Sequence, residues 1–104
     1  MIADKKRIFE ERMHALLEKY CQLLPSKYQE IEESWNIYQA DPNNADSIEN
    51  FYRLIHTLKG TAATFGFVTQ SDICYQIQLR LLDIKNNHNV LSQSNINDIQ
   101  HQLN

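Results

Sequence analysis

Residues 46–66 read DSIENFYRLIHTLKGTAATFG, and this stretch decides the fold of the chain. Its apolar residues alternate at spacings of three and four, the periodicity of one buried helix face. They are Ile48, Phe51, Ile55, Leu58, Ala62 and Phe65. Asp46 and Glu49 form a capping-box signature that predicts the start of this helix, and Gly66 is predicted to end it. The stretch therefore predicts one long amphipathic helix.

The segment before it carries two apolar stripes separated by Pro25. The first, in residues 4–24, consists of Phe9, Met13, Leu16, Tyr20 and Leu23. The second follows a capping box at Ser26 and Gln29 and consists of Tyr28, Ile31, Trp35 and Tyr38. The aromatic residues of both stripes are expected in the core. Because proline ends or kinks a helix, the pattern predicts either two helices or one kinked helix.

The segment after Gly66 predicts two more helices. Thr69 and Asp72 form another capping box, and the buried stripe of that helix consists of Ile73, Ile77, Leu81 and Ile84. The helix is expected to end in the polar run at residues 86–89. A last short helix begins at Ser92 or Ser94 and carries Ile96, Ile99 and Leu103.

The composition supports a single all-α domain. The chain has 104 residues, 42% of them hydrophobic, and only two glycines and two prolines, too few turns for a many-stranded β fold. We therefore predict one domain over residues 1–104, an antiparallel up-down four-helix bundle in 26–104 with an additional N-terminal amphipathic helix in 1–24. A bare stripe would be a liability in a soluble protein, so this helix is expected to pack on its own domain, and a monomer is favoured.

Charge and hydropathy exclude several classes of partner. The formal net charge is −3 and the basic residues are scattered, so nucleic acid is not expected. No segment approaches the ~20 apolar residues of a membrane span or resembles a signal peptide, so we expect no membrane association and a cytoplasmic location. Cys21 and Cys74 form no paired motif and are expected to be reduced, half-buried thiols without a disulfide or a metal.

One histidine of the central helix faces away from the predicted core. At about 100° per residue, His56 lies roughly 140° from the centre of the apolar stripe and should face solvent. Tyr52, Lys59, Gly60 and Ala63 lie within about 60° of the same direction and surround it. The patch is aromatic on its upstream side and small on its downstream side.

This patch suits phosphorus chemistry. A histidine side chain has an ordinary pKa of about 6.5, so an exposed imidazole is largely neutral at pH 7 and can act as a nucleophile. A phosphoryl group on the ring would carry about two negative charges, which Lys59 could compensate. Gly60 and Ala63 would leave room for a second protein. The chain lacks a nucleotide loop or a triad, so His56 is expected to be a phosphoryl carrier rather than part of an enzyme.

The motif His56-x-x-Lys59-Gly60, followed by Gly66, resembles the signature of histidine-containing phosphotransfer (HPt) domains, and residues 64–67 resemble the phosphoaccepting domain of chemotaxis kinases. The resemblance is closest over residues 26–85. It implies a four-helix bundle with an exposed phosphorylated histidine. By it, Lys59 contacts the phosphoryl group, Gly60 permits close docking and Gly66 closes the helical hairpin. The residue twelve positions after Gly66 is Gln78, which the resemblance assigns to orienting His56 through its second ring nitrogen.

The resemblance also implies a function. His56 would accept a phosphoryl group from the aspartyl phosphate of a receiver domain and pass it to another receiver, which supplies Mg²⁺; the chain itself would need no cofactor. Tyr52 and Phe67 flank the patch and are expected, with Gly60 and Ala63, to contact the receiver. The chain could stand alone or be part of a larger kinase. The alternative is a non-catalytic helical module that binds or sequesters a signalling partner without being phosphorylated.

Overall fold

The computed structural model describes residues 1–86 and 91–103, and in these ranges all regular structure is α-helical. The helices are α1 (Ile2–Ala40), α2 (Ala45–Thr64), α3 (Val68–Asn86) and α4 (Gln93–Leu103). Short turns join α1 to α2 and α2 to α3, so α2 runs opposite to both α1 and α3. The predicted all-α four-helix bundle is confirmed.

Helix α1 settles the alternatives left open by Pro25, because it is one helix of 39 residues with Pro25 inside it. A straight helix of that length spans about 58 Å, and the longest dimension of the molecule is 57 Å. The capping box at Ser26 was therefore a wrong prediction. Tyr20 before the proline and Trp35 after it are both buried in the same core, and this anchoring on both sides offsets the backbone hydrogen bond that proline lacks.

The first half of α1 is less buried than predicted. The side chain of Phe9 is 64% exposed and that of Leu16 is 52% exposed, so the expectation that this stripe packs on its own domain was wrong for these turns. Contact with the bundle begins at Tyr20, whose ring stacks on Phe65 with centroids 5.0 Å apart. The reason is length: the 20 residues of α2 span about 30 Å, so α2 is too short to lie beside the whole of α1.

The core is built from one face of each helix around an aromatic cluster. The ring of Phe51 lies 5.3 Å from that of Trp35 and 6.5 Å from that of Tyr38, between centroids. Aliphatic side chains complete the core; those fully buried are Ile55, Ile77, Leu81, Ile84 and Ile99. Tyr28 was predicted here but is half exposed, and its hydroxyl accepts a hydrogen bond from the Gln70 side chain of α3.

The turn between α2 and α3 follows from Gly66, whose φ is +79°, a left-handed conformation that glycine adopts without strain. The N–H of Gly66 donates to the Ala63 carbonyl at 3.2 Å, and that of Phe67 donates to the Ala62 carbonyl at 2.8 Å. These two bonds form a Schellman motif, which satisfies carbonyls at the end of α2. The turn reverses the chain and sets the register of α3 against α2.

Two predicted helix starts were wrong by one or two residues. Asn44, not Asp46, caps α2, because its side-chain oxygen accepts a hydrogen bond from the Asp46 N–H at 3.0 Å. Thr69 lies inside α3, which begins at Val68. At α4, Ser92 is the cap of the two candidates, since its hydroxyl accepts from the Asn95 N–H at 3.1 Å. Of the polar run predicted to end α3, residues 87–89 lie outside the described residues.

Both cysteines are free thiols, although neither is half-buried as predicted. Cys21 is exposed on α1, whereas Cys74 is 2% exposed within the core. Burial raises the pKa of the Cys74 thiol to about 11, with a smaller opposing effect of Lys59. Cys74 therefore remains protonated and serves as a small core side chain.

Candidate functional site

The structure places His56 on the exposed face of α2, midway along the helix, as the helical periodicity predicts. Its neighbours Ile55 and Leu58 are buried against α1 and α3 and fix the rotation of α2. The imidazole therefore projects from a rigid helix rather than from a loop. Helix positions of this kind hold a reactive group in a defined geometry.

Gln78 of α3 contacts the imidazole directly. Its side-chain Nε2 lies 2.8 Å from Nδ1 of His56. Gln78 is only 5% exposed, so its amide relies on protein partners rather than on water. The register set by the turn at Gly66 brings these two side chains together across the antiparallel pair α2 and α3.

The amide of Gln78 can serve either tautomer of the ring. In the orientation of the structure, its Nε2–H donates to an unprotonated Nδ1. A half-turn of the amide lets Oε1 accept a hydrogen bond from a protonated Nδ1 instead. Only the second arrangement leaves Nε2 of His56 with a free electron pair. A carboxylate could only accept, so an amide constrains the ring orientation without enforcing one tautomer.

An aromatic ring lies parallel to the imidazole. The rings of Tyr52 and His56, one helical turn apart on α2, are nearly parallel at 7° with centroids 5.9 Å apart. The ammonium of Lys85, from α3, lies 4.9 Å from the centre of the Tyr52 ring. The same ammonium is 3.4 Å from a carboxylate oxygen of Glu49. Tyr52 is thus half-buried, with contacts to both His56 and Lys85.

Lys59, predicted to contact the phosphoryl group, reaches toward α3 in the structure. Its ammonium lies over the ring of Tyr75 on α3, 5.0 Å from the ring centre. The Ser71 hydroxyl donates to the Lys59 backbone carbonyl at 3.3 Å and links the two helices at this level. In the unphosphorylated chain, Lys59 is therefore held one turn away from His56 by a cation–π contact.

The downstream side of the patch is open. A Cβ atom built on Gly60 would meet no atom of the described residues within 4 Å, so their packing does not require a glycine there. Ala63 is exposed beside it. Phe67 is placed differently: its ring packs on Tyr20 at 5.6 Å, at the end of the bundle. The structure brings Tyr52, Gly60 and Ala63 to the patch around His56, while the contact described for Phe67 is with α1.

Helix α3 adds apolar surface that the sequence interpretation missed. Tyr75 and Leu82, one turn before and after Gln78, are each 44% exposed. Leu79 and Val68 share this outward side. The sequence contains a signal for this surface, because these four residues are one or two helical turns apart and lie on the side of α3 opposite its buried stripe. We call Val68, Tyr75, Leu79 and Leu82 the α3 outer stripe.

Two other kinds of site are not found in the part of the chain that the structure describes. No group of three His, Cys, Asp or Glu side chains in residues 1–86 and 91–103 is arranged to hold a metal ion. Over the same ranges, the helices are too polar for any of them to cross a lipid bilayer.

Comparisons with known proteins give a family match and a partial relative. The model of the Hpt domain family matches residues 7–104, a longer range than the resemblance over 26–85. The chemotaxis protein CheA of Borreliella burgdorferi is 35% identical over 48 residues, which are 46% of this chain and 6% of that protein. The chain thus corresponds to a small part of that relative. No solved structure gives a significant match.

Proposed function

The chain belongs to the Hpt domain family, and we propose that it is a histidine phosphocarrier in a two-component phosphorelay. His56 accepts a phosphoryl group from the aspartyl phosphate of one receiver domain and passes it to another receiver. The observation that carries the proposal is the exposed imidazole held at Nδ1 by the buried Gln78 amide, 2.8 Å away. This arrangement leaves Nε2 as the nitrogen that can face a partner.

The transfer step uses the tautomer that a half-turn of the Gln78 amide stabilises. With Nδ1 protonated and bonded to Oε1 of Gln78, the electron pair of Nε2 attacks phosphorus, and the bond from phosphorus to the aspartyl oxygen breaks in line. The aspartate leaves as a carboxylate, and the proton stays on Nδ1. The receiver supplies Mg²⁺ and most of the charge stabilisation, so the chain provides a positioned nucleophile rather than a complete active site.

The cytoplasmic location, suggested by the free thiols, is part of the same proposal.

The docking surface for the receiver combines the open side of α2 with the α3 outer stripe. Gly60 and Ala63 lie low beside His56, whereas Tyr75 and Leu82 flank Gln78 on α3. A group of exposed apolar side chains on one face of a folded domain often marks a protein interaction site. The imidazole would then be desolvated when the receiver docks, which strengthens the interactions of the developing charge.

Lys59 is proposed to move when the phosphoryl group arrives. About two negative charges on the ring would attract its ammonium away from Tyr75 and toward the phosphoryl oxygens. We expect Lys59→Met to lower the phosphorylation rate of His56 by about 3- to 10-fold, the loss of one charge-assisted hydrogen bond at a partly exposed site. The measurement is the initial rate of labelling from a phosphorylated receiver.

The matched control for this lysine is Lys6→Met, which removes the same charge from an exposed position on α1 far from the site. Labelling of this variant is expected at the unchanged rate. Equal rates for Lys59→Met and Lys6→Met would show that Lys59 has no specific role.

Gln78 is expected to set the fraction of correctly oriented imidazole. Gln78→Met fills the same volume without a hydrogen bond, so the phosphorylation rate should fall by about 5- to 20-fold, the range of one lost buried hydrogen bond. Gln78→Glu should retain or raise the rate, because a carboxylate accepts from Nδ1–H and favours the reactive tautomer. The measurement is the labelling rate of each variant, compared with the wild type after thermal midpoints have shown that all three proteins are equally folded. A normal rate for Gln78→Met would contradict the assigned role.

A further inference from the structure

We propose that Tyr52 is a positioning residue for His56, fixing the plane of the imidazole, rather than primarily a contact for the receiver. The inference rests on the proposed phosphocarrier function, because it concerns the orientation of the nucleophile. It departs from the interpretation of Tyr52 as a docking residue, and the contacts around its ring carry it.

The first contact is the stacking itself. The Tyr52 and His56 rings are 7° from parallel with centroids 5.9 Å apart, which is an offset stack. Side chains four residues apart on a helix lie above one another, so this geometry belongs to α2 alone and needs no partner protein. The stack exists in the free chain.

The second contact holds the tyrosine ring in place. The Lys85 ammonium, 4.9 Å from the ring centre, also lies 3.4 Å from a carboxylate oxygen of Glu49. Glu49 is one turn before Tyr52 on α2, and Lys85 reaches across from α3. Lys85 thereby ties the Tyr52 ring to both helices of the antiparallel pair. An exposed tyrosine without such a contact would have rotamer freedom and could not orient a neighbour.

The two restraints on His56 are complementary. The hydrogen bond between the Gln78 amide and Nδ1 fixes the position of that atom in either tautomer but still allows the ring to tilt about it. A parallel ring against its face removes the tilt. Together they define the direction of the Nε2 electron pair, which must point at phosphorus along the line of attack. Tyr52 therefore acts through His56 and does not itself need to touch the phosphoryl group.

A phosphodonor without a protein surface separates positioning from docking. Phosphoramidate phosphorylates histidine directly, so its rate with the full chain depends on the imidazole and not on receiver contacts. We expect Tyr52→Leu to lower this rate by about 3- to 10-fold. Tyr52→Phe, which keeps the ring and loses the hydroxyl, should stay within about twofold of the wild type. Tyr28→Leu is the control, since Tyr28 is a half-exposed tyrosine of α1 outside the site.

Nuclear magnetic resonance of the unphosphorylated chain gives a readout independent of reactivity. Nuclear Overhauser effects between the two rings and the ¹⁵N shifts of the imidazole should be the same in wild type and Tyr52→Phe. In Tyr52→Leu the imidazole shifts should move toward those of a free histidine side chain. The thermal midpoint of each variant shows that the bundle remains folded.

Three results would overturn the inference. One is a wild-type phosphoramidate rate for Tyr52→Leu, which would return Tyr52 to a docking role. Another is an equal loss in Tyr52→Phe and Tyr52→Leu, which would implicate the hydroxyl instead of the ring. The third is the absence of contacts between the two rings in the wild-type spectrum. Failure of wild-type His56 to react at all would instead contradict the phosphocarrier proposal, and the spectra would still decide whether the stack exists.

Discussion

Replacing His56 by glutamine is expected to abolish phosphorylation of the chain while leaving its fold intact. No nitrogen nucleophile remains at the position where the partner docks, so the loss should be complete rather than partial. Because His56 is exposed, the folded state loses little packing, and a glutamine side chain can still hydrogen-bond Gln78. The measurement is acid-labile, alkali-stable phosphate on the chain after incubation with a phosphorylated receiver.

His14→Gln is the matched control for this experiment. His14 is also an exposed histidine on a helix, and its Nε2 lies 3.0 Å from a Glu18 carboxylate oxygen. It lies in the first half of α1, away from the site. Labelling should persist in His14→Gln and vanish in His56→Gln. Labelling retained in His56→Gln would contradict the assignment. If the wild-type chain is not labelled, and wild type and His56→Gln bind a receiver equally well, the result would support a binding module that is not phosphorylated.

Gly60→Leu is expected to raise the stability of the fold but lower the rate of phosphotransfer from a receiver. A Cβ atom at this position meets nothing within 4 Å, and glycine is a poor helix former, so the free energy of unfolding should rise by about 0.5–1 kcal/mol. The same side chain would stand between His56 and a docking receiver. Phosphotransfer from a receiver should therefore fall by about tenfold or more, because a small misplacement of the reacting groups has a large effect on rate.

Two comparisons test this interpretation of Gly60. Phosphoramidate is small enough to reach the imidazole past a leucine, so its rate with Gly60→Leu should stay within about twofold of the wild type. Gly66→Ala should show the opposite pattern, losing about 1–2 kcal/mol of stability because a side chain is strained at a φ of +79°. A wild-type rate of receiver transfer in Gly60→Leu would mean that close approach at this position is not needed.

The sequence predicted the helices better than their ends. Periodic apolar spacing depends on local geometry, so the stripe from Ile48 to Phe65 located α2 correctly. Capping boxes are short patterns that also occur inside helices, and Ser26 and Thr69 proved to be such cases. The exposure of the stripe that contains Phe9 could not be predicted from periodicity, because burial depends on how far the neighbouring helices extend.

Local sequence by itself determined that His56 points outward, that Gly60 lies on the same face and that Gly66 ends the helix, because helical periodicity and the left-handed conformation of glycine act within a few residues. The sequence also suggested Gln78 as the partner of His56. Tertiary structure decided the rest: Lys59 lies over Tyr75, and Lys85 holds Tyr52 against the imidazole. These contacts join α2 to α3, so they depend on the register and rotation of two packed helices, which only the shared core defines.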